Sequence, residues 1–150
     1  MTLNRRTFLG HTAALGFTSF GIASFGAATL FAPAAFAAPP IRYTQGEAEK
    51  AMDAGKIVVL DFWASWCSTC AAQERVLTGL KAANPAYEAN IEFFIVDWDE
   101  HGKGELSRSL NIPRRSTLVA LKGREELGRI VAGTAKADIQ ALLDMALAAA

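Results

Sequence analysis

The sequence has only two cysteines, Cys67 and Cys70, so it offers neither the several bridges of a disulfide framework nor the four thiols of a closed zinc or iron–sulfur site. Histidine adds little, with His11 near the N-terminus and His101 the only other. An excess of either charge is also missing. Fifteen basic side chains stand against fifteen acidic ones, which argues against a nucleic-acid surface and for small-molecule or protein partners. No acidic residue precedes Glu47, and the apolar stretch before it is broken by Gly10, Gly16, Gly21 and Gly26. Pro113 is the last of five prolines. What is present is a 150-residue chain, 51% apolar, long enough for one domain with a core and too short for two comfortable ones.

The segment without acids has a form of its own. Arg5 and Arg6 precede Phe8 and a mildly apolar run from Leu9 to Ala32, and Ala35-Phe36-Ala37 then has the small-x-small form that a signal peptidase accepts, ahead of Pro39-Pro40. Residues 1–37 read as an export signal cleaved near Ala37. The paired arginines resemble a twin-arginine signal, a route that carries folded proteins across the bacterial inner membrane. The expected location is periplasmic. An uncleaved membrane anchor is the competing reading, because Leu9 to Ala32 is long enough to span a bilayer. Residues 38–150 are then the working domain.

In that domain strand-like and helix-like stretches alternate, the pattern of an α/β protein. Thr44 and Glu47 have capping-box spacing for a helix to about Ala54, stopped by Gly55. Residues 56–62 form a continuous β-branched run, the composition of a central strand. From Cys67 onward Ala72, Val76, Leu77 and Leu80 recur at helical spacing, with Gln73, Glu74 and Lys81 assigned to other faces and Asn84-Pro85 as the stop. Residues 91–98 read as a second buried strand, 99–104 as a polar turn and 105–110 as a short helix. Residues 116–123 and 125–133 form an antiparallel hairpin around Lys122 to Arg124. Thr134 caps a closing helix whose Ile139, Leu142, Leu143 and Ala146 share one face. With Ile41 to Tyr43 as a short edge strand, the expectation is a mixed sheet of four or five strands flanked by helices.

Both cysteines fall at the start of a helix. A disulfide enclosing two residues removes little entropy from the unfolded chain, so stability does not account for the pair. A soft-metal or iron–sulfur binding module built on the same two thiols stays open as an alternative. A redox pair gains most from the location, since free N–H groups and the positive end of the helix dipole favour a thiolate. Cys67 is then the exposed nucleophile, and Cys70, one turn further in, resolves the mixed disulfide.

The stretch VVLDFWASWCSTC, residues 58–70, resembles the active-site stretch of the thioredoxin family, an apolar strand followed by Trp-Cys-x-x-Cys and a helix, and the similarity runs from about Ile57 to the C-terminus. The resemblance implies a thioredoxin-like α/β fold and a thiol–disulfide oxidoreductase without a cofactor, which the N-terminal signal makes an exported one. Its expected partners are cysteine-containing envelope proteins and a membrane electron donor, with no nucleic acid involved and the protein acting as a monomer. It implies catalytic roles for Cys67, Cys70 and Asp61, the last as a buried carboxylate that helps move the proton of Cys70. Independently, a carboxylate closing an apolar strand run is costly to bury ionised, which raises its pKa. The plainer reading is a strand-end aspartate facing water. The lysine that often accompanies this aspartate in the family falls at Ile95 here.

Trp63 reads as packing and Trp66 as part of the surface that receives substrate. Where the family places a cis-proline, this chain has Ser116 preceded by Arg115, and Pro113 comes three residues too early. A cis bond ahead of a non-proline residue costs about 2.5–4 kcal/mol, so a trans Arg115–Ser116 bond and a locally altered loop are expected. Arg115 and Ser116 join Trp66 as candidate substrate-binding residues, and Arg114 and Arg115 either bring charge to Cys67 or point into solvent. Ser68 and Thr69 are candidate redox-tuning residues through hydroxyl bonds to Cys67, or simply small polar residues beginning a helix. Asp97 to Gly102 reads as a solvated turn rather than a metal site.

Overall fold

The computed structural model describes residues 39–150, so the export signal and its cleavage zone lie outside the described residues. Along this chain run β1 (Ile41–Arg42), α1 (Glu47–Asp53), β2 (Ile57–Trp63), α2 (Ser68–Ala83), α3 (Ala86–Asn90), β3 (Glu92–Asp97), α4 (Trp98–His101), α5 (Glu105–Ser109), β4 (Thr117–Lys122), β5 (Glu125–Val131) and α6 (Lys136–Ala148). Among the described residues five strands make one sheet in the order β1-β3-β2-β4-β5. β3 is parallel to β1 and β2, while β4 is antiparallel to β2 and β5, giving the expected mixed sheet. Among the described residues no helix is long and apolar enough to cross a membrane.

The apolar run of β2 places it at the centre, and the two-residue period of a strand divides its side chains between two cores. Val58, Leu60 and Phe62 face Phe94, Val96, Val119 and Leu121, with Met52 of α1 and Leu106 of α5 closing that side. Full burial of Phe62 alone contributes about 1.5–3 kcal/mol. Ile57 and Val59 face the other way, against Leu77 and Leu80 of α2 and Ile139, Leu142 and Leu143 of α6. Asp61 follows Val59 by two residues and so belongs to this second face, under α2. Its placement is set by strand alternation alone.

Several local expectations are corrected. Thr44 does not cap α1: the residue before the helix is Gly46 at φ +90°, and Thr44 contributes only its carbonyl, which accepts from the Glu47 N–H at 3.1 Å. Thr134 does not cap α6 either, whose N-cap is Ala135 with no side-chain bond. The turn expected over residues 99–104 begins as the helical turn α4, because Asp97 Oδ1 accepts from the Asp99 N–H at 2.9 Å and starts it. α3 follows Pro85, where a helix stop alone was expected. β3 is only half covered, with Phe94 and Val96 buried and its remaining residues half-buried.

The β4–β5 hairpin turns through two residues, Gly123 and Arg124, with Gly123 at the φ of +57° that favours glycine. β5 is one of the two edge strands, opposite β1. It carries Glu125, Glu126 and Arg129, the last two paired with each other, and its register against β4 shifts between Ala120 and Leu121.

Candidate active site

β2 ends at Trp63 and α2 begins at Ser68, so the short connection delivers Cys67 to the helix N-terminus. Cys67 is the N-cap residue itself, with extended backbone angles, rather than a member of the first turn. Its Sγ accepts a hydrogen bond from the Cys70 N–H at 3.2 Å, the bond a capping oxygen would usually accept. Cys70 lies in the first turn, and the two cysteines form a disulfide with their Cα atoms 5.2 Å apart. Ala64, Trp63 and Trp98 pack around them. Cys70 is fully buried, and Cys67, expected to be exposed, retains 6% of its surface. The reason is the loop before β4, which lies directly over the sulfurs.

That loop is altered, as its lack of proline led us to expect. Ser116 sits at φ +58°, a sign that proline, fixed near −65°, does not adopt. Its N–H donates to Phe62 O and its carbonyl accepts from the Ala132 N–H, each at 2.7 Å. Its hydroxyl points inward, 3.0 Å from Cys67 Sγ and 3.1 Å from Cys70 Sγ. The loop is held from beneath by Gln73, whose Nε2 donates to Ser116 O at 3.2 Å and to Gly133 O at 2.8 Å. Sequence periodicity put Gln73 on another face, yet it is fully buried. A signal existed, because Cys70, Gln73, Leu77 and Leu80 follow one another at steps of three and four and share one stripe of α2.

Trp66 is 59% exposed beside the disulfide. Its indole N–H donates to Asp99 Oδ2 at 2.9 Å, and the Arg115 guanidinium stacks on its ring at 4.3 Å. Arg115 is thus held against Trp66, whereas Arg114 is exposed. From sequence Asp99 reads only as one charge of a solvated turn, because its partner Trp66 lies 33 residues away. Ser68 and Thr69 make no hydrogen bond to either sulfur, and the hydroxyl that does approach them comes from Ser116, 49 residues from Cys67 in the chain.

Asp61 lies on the α2 side of the sheet, 6% exposed, and its Oδ1 makes no hydrogen bond to any described residue. It does not face water as an ordinary strand-end carboxylate would. Burial pushes its pKa from 3.8 up to about 7, and the neighbouring Glu74 carboxylate adds to the rise. In strand register Asp61 stands beside Ile95, so β3 supplies no cation there. Lys81, expected on an outer face, is buried and helps line a cavity of about 70 Å³ with Asp61 and Glu74, but its Nζ is engaged by Glu88 at 2.8 Å. Among the described residues no group of three or more His, Cys, Asp or Glu side chains is arranged to hold a metal ion.

A mixed sheet whose central parallel strand runs into a helix capped by one sulfur of a Cys-x-x-Cys disulfide defines a thioredoxin-like dithiol protein. The thioredoxin family model matches residues 41–145, and the chain belongs to that family. A thioredoxin H-type from Fagopyrum esculentum is 34% identical over 83 residues, covering 55% of this chain and 66% of its own. Thioredoxin H2-1 from rice, Oryza sativa subsp. japonica, is 37% identical over 76 residues, 51% of each chain. The chain therefore spans between half and two thirds of the length of these relatives. The crystal structure of Trxlp from Edwardsiella tarda superposes with a TM-score of 0.59 at 28% identity, covering 68% of this chain and 97% of that one.

Proposed function

We propose that this protein is an exported thiol–disulfide oxidoreductase that reduces disulfides of envelope proteins and is recharged by a membrane-bound dithiol donor. The observation that carries the activity is the Cys67–Cys70 disulfide at the N-terminus of α2, flanked by exposed Trp66 and with the raised-pKa Asp61 on the same side of the sheet. In the reduced protein Cys67 attacks one sulfur of a target disulfide as its thiolate. The target S–S bond breaks, and its other sulfur leaves and takes up a proton. Cys70 then gives its proton to the Asp61 carboxylate and attacks Cys67 Sγ, which restores the Cys67–Cys70 disulfide and releases the second target thiol. Two electrons pass to the target.

Export is supported by Arg5-Arg6 and the following apolar run with its Ala-x-Ala site. Reduction is the direction argued, because an oxidising compartment already contains strong oxidants. Insulin reduction driven by dithiothreitol tests the activity: the protein accelerates it and Cys67→Ser abolishes the effect. Equilibration with glutathione tests the direction. A potential near thioredoxin's, about −270 mV, supports a reductase, and one near −120 mV makes the protein an oxidant. Replacing Arg5 and Arg6 by lysine and following the protein by cell fractionation tests the route. Stoichiometric metal in anaerobically purified protein that fails to reduce insulin would replace this reading by a metal-binding one.

A further inference from the structure

We propose that the Ser116 hydroxyl is the hydrogen-bond donor that stabilises whichever sulfur of the couple carries negative charge, and that Gln73 is the positioning residue that holds it there. The inference rests on the redox reading of Cys67 and Cys70 and adds to it a residue on a different element of the fold.

The geometry is restrictive. Ser116 is fully buried, and its Oγ lies almost equally far from the two sulfurs, 3.0 and 3.1 Å. Among the described residues no other polar group is bonded to that oxygen, so its proton has only sulfur to serve. The backbone cannot easily drift: the Ser116 N–H is fixed to Phe62 O on β2, and its carbonyl is fixed to the Ala132 N–H and to Gln73 Nε2. Gln73 ties the same loop to Gly133 through its second donor bond. Because Gln73 stands one turn beyond Cys70 on α2, the helix that carries the sulfurs also grips the loop that carries the hydroxyl.

This arrangement acts on the two redox states unequally. A sulfur in a disulfide is a weak acceptor, and a thiolate is a strong one. The bond from Ser116 therefore strengthens on reduction and favours the reduced form. It also serves both halves of the exchange. When a donor thiolate attacks Cys67 Sγ, the Cys67–Cys70 bond breaks, a donor–Cys67 disulfide forms, and Cys70 leaves as a thiolate within reach of the hydroxyl. When the donor's second thiol loses its proton to solvent and attacks its own bridging sulfur, Cys67 departs as a thiolate, and rotation about Cβ–Oγ turns the same O–H toward it. The donor is oxidised to its disulfide, and the Cys67–Cys70 pair gains two electrons.

The test uses Ser116→Gly and Ser116→Ala. Glycine removes the hydroxyl at a position where the positive φ suits it, so hydroxyl loss is separated from backbone strain. The readouts are the equilibrium of the couple with glutathione and the pH profile of Cys67 alkylation by iodoacetamide in the reduced protein. Loss of one charge-assisted bond predicts an alkylation rate at neutral pH about tenfold lower and an equilibrium about tenfold further toward the disulfide, which is about 30 mV more negative. Gln73→Met should shift both readouts the same way by a smaller factor, with the insulin assay still active. Glycine and wild-type proteins with the same potential and the same alkylation profile would overturn the role of Ser116, and an unshifted Gln73→Met would overturn that of Gln73. A wild-type pair that does not exchange with glutathione at all would instead overturn the redox reading on which the inference rests.

Discussion

Replacing Asp61 with asparagine should make the protein's stability at neutral pH rise relative to wild type, by an amount that depends on pH in a defined direction. Burial, aided by Glu74, raises the Asp61 pKa from 3.8 to about 7. At 1.36 kcal/mol per unit, ionising this carboxylate in the folded protein costs about 4 kcal/mol relative to the unfolded chain. The sign follows from proton counting. Between about pH 4 and pH 7 the folded protein keeps a proton that the unfolded chain has released, so wild-type stability falls as pH rises through that window and then levels off. The asparagine side chain does not titrate, and whatever its buried amide costs is independent of pH, about 1–3 kcal/mol if left unpaired. The informative quantity is thus the change in the gap between variant and wild type, measured by urea unfolding of the disulfide form at pH 4, 6 and 8. With an m-value of about 1–3 kcal/mol per molar urea, a gap that widens by about 4 kcal/mol moves the midpoint difference by more than about 1 M. A gap of the same sign and size at pH 4 and pH 8 would refute a perturbed Asp61.

Three further outcomes are expected. Ser116→Pro, which installs the residue usual in the family, should destabilise by about 3 kcal/mol or more in urea unfolding, since proline cannot take φ +58° and lacks the N–H that bonds Phe62 O; equal stability would mean that the loop adopts the opposite sign of φ. Arg115→Ala should change stability by no more than about 1 kcal/mol, because it removes one stacked cation from an exposed ring, yet it should raise KM for insulin and alter Trp66 fluorescence. Unchanged KM and emission would remove Arg115 from the substrate surface. Lys81→Met should cost about 3 kcal/mol by breaking a largely buried pair with Glu88, seen as a lower urea midpoint with the insulin activity retained; a midpoint equal to wild type would show the pair contributes nothing.

The strands were legible because their signal is local. Residues 57–62 are apolar or β-branched without a break except Asp61, and that exception is the residue whose burial matters chemically. Helix ends were read less well. Thr44 and Thr134 have the right chemistry for caps, but Gly46 and Ala135 occupy the N-cap positions, neither with a side-chain cap bond. Gln73 and Lys81 were placed outside the core by polarity alone. Their burial depends on groups far away in sequence, Ser116 and Gly133 for the first and Phe93 with Glu88 for the second, and a helical period does not see such partners. The same holds for the hydroxyl at the sulfurs. Ser68 and Thr69 were near in sequence, but helix geometry carries their side chains away, and a loop 46 residues beyond Cys70 supplies the contact.

The β5 edge of the sheet also bears on how its backbone would meet another chain. An open sheet margin invites a neighbour's backbone to zip onto it, the first step toward fibrous stacking. On β5 that margin carries Glu125, Glu126 and Arg129, and its register against β4 shifts at Ala120/Leu121, so charge and an irregular ladder make it a poor template for further pairing.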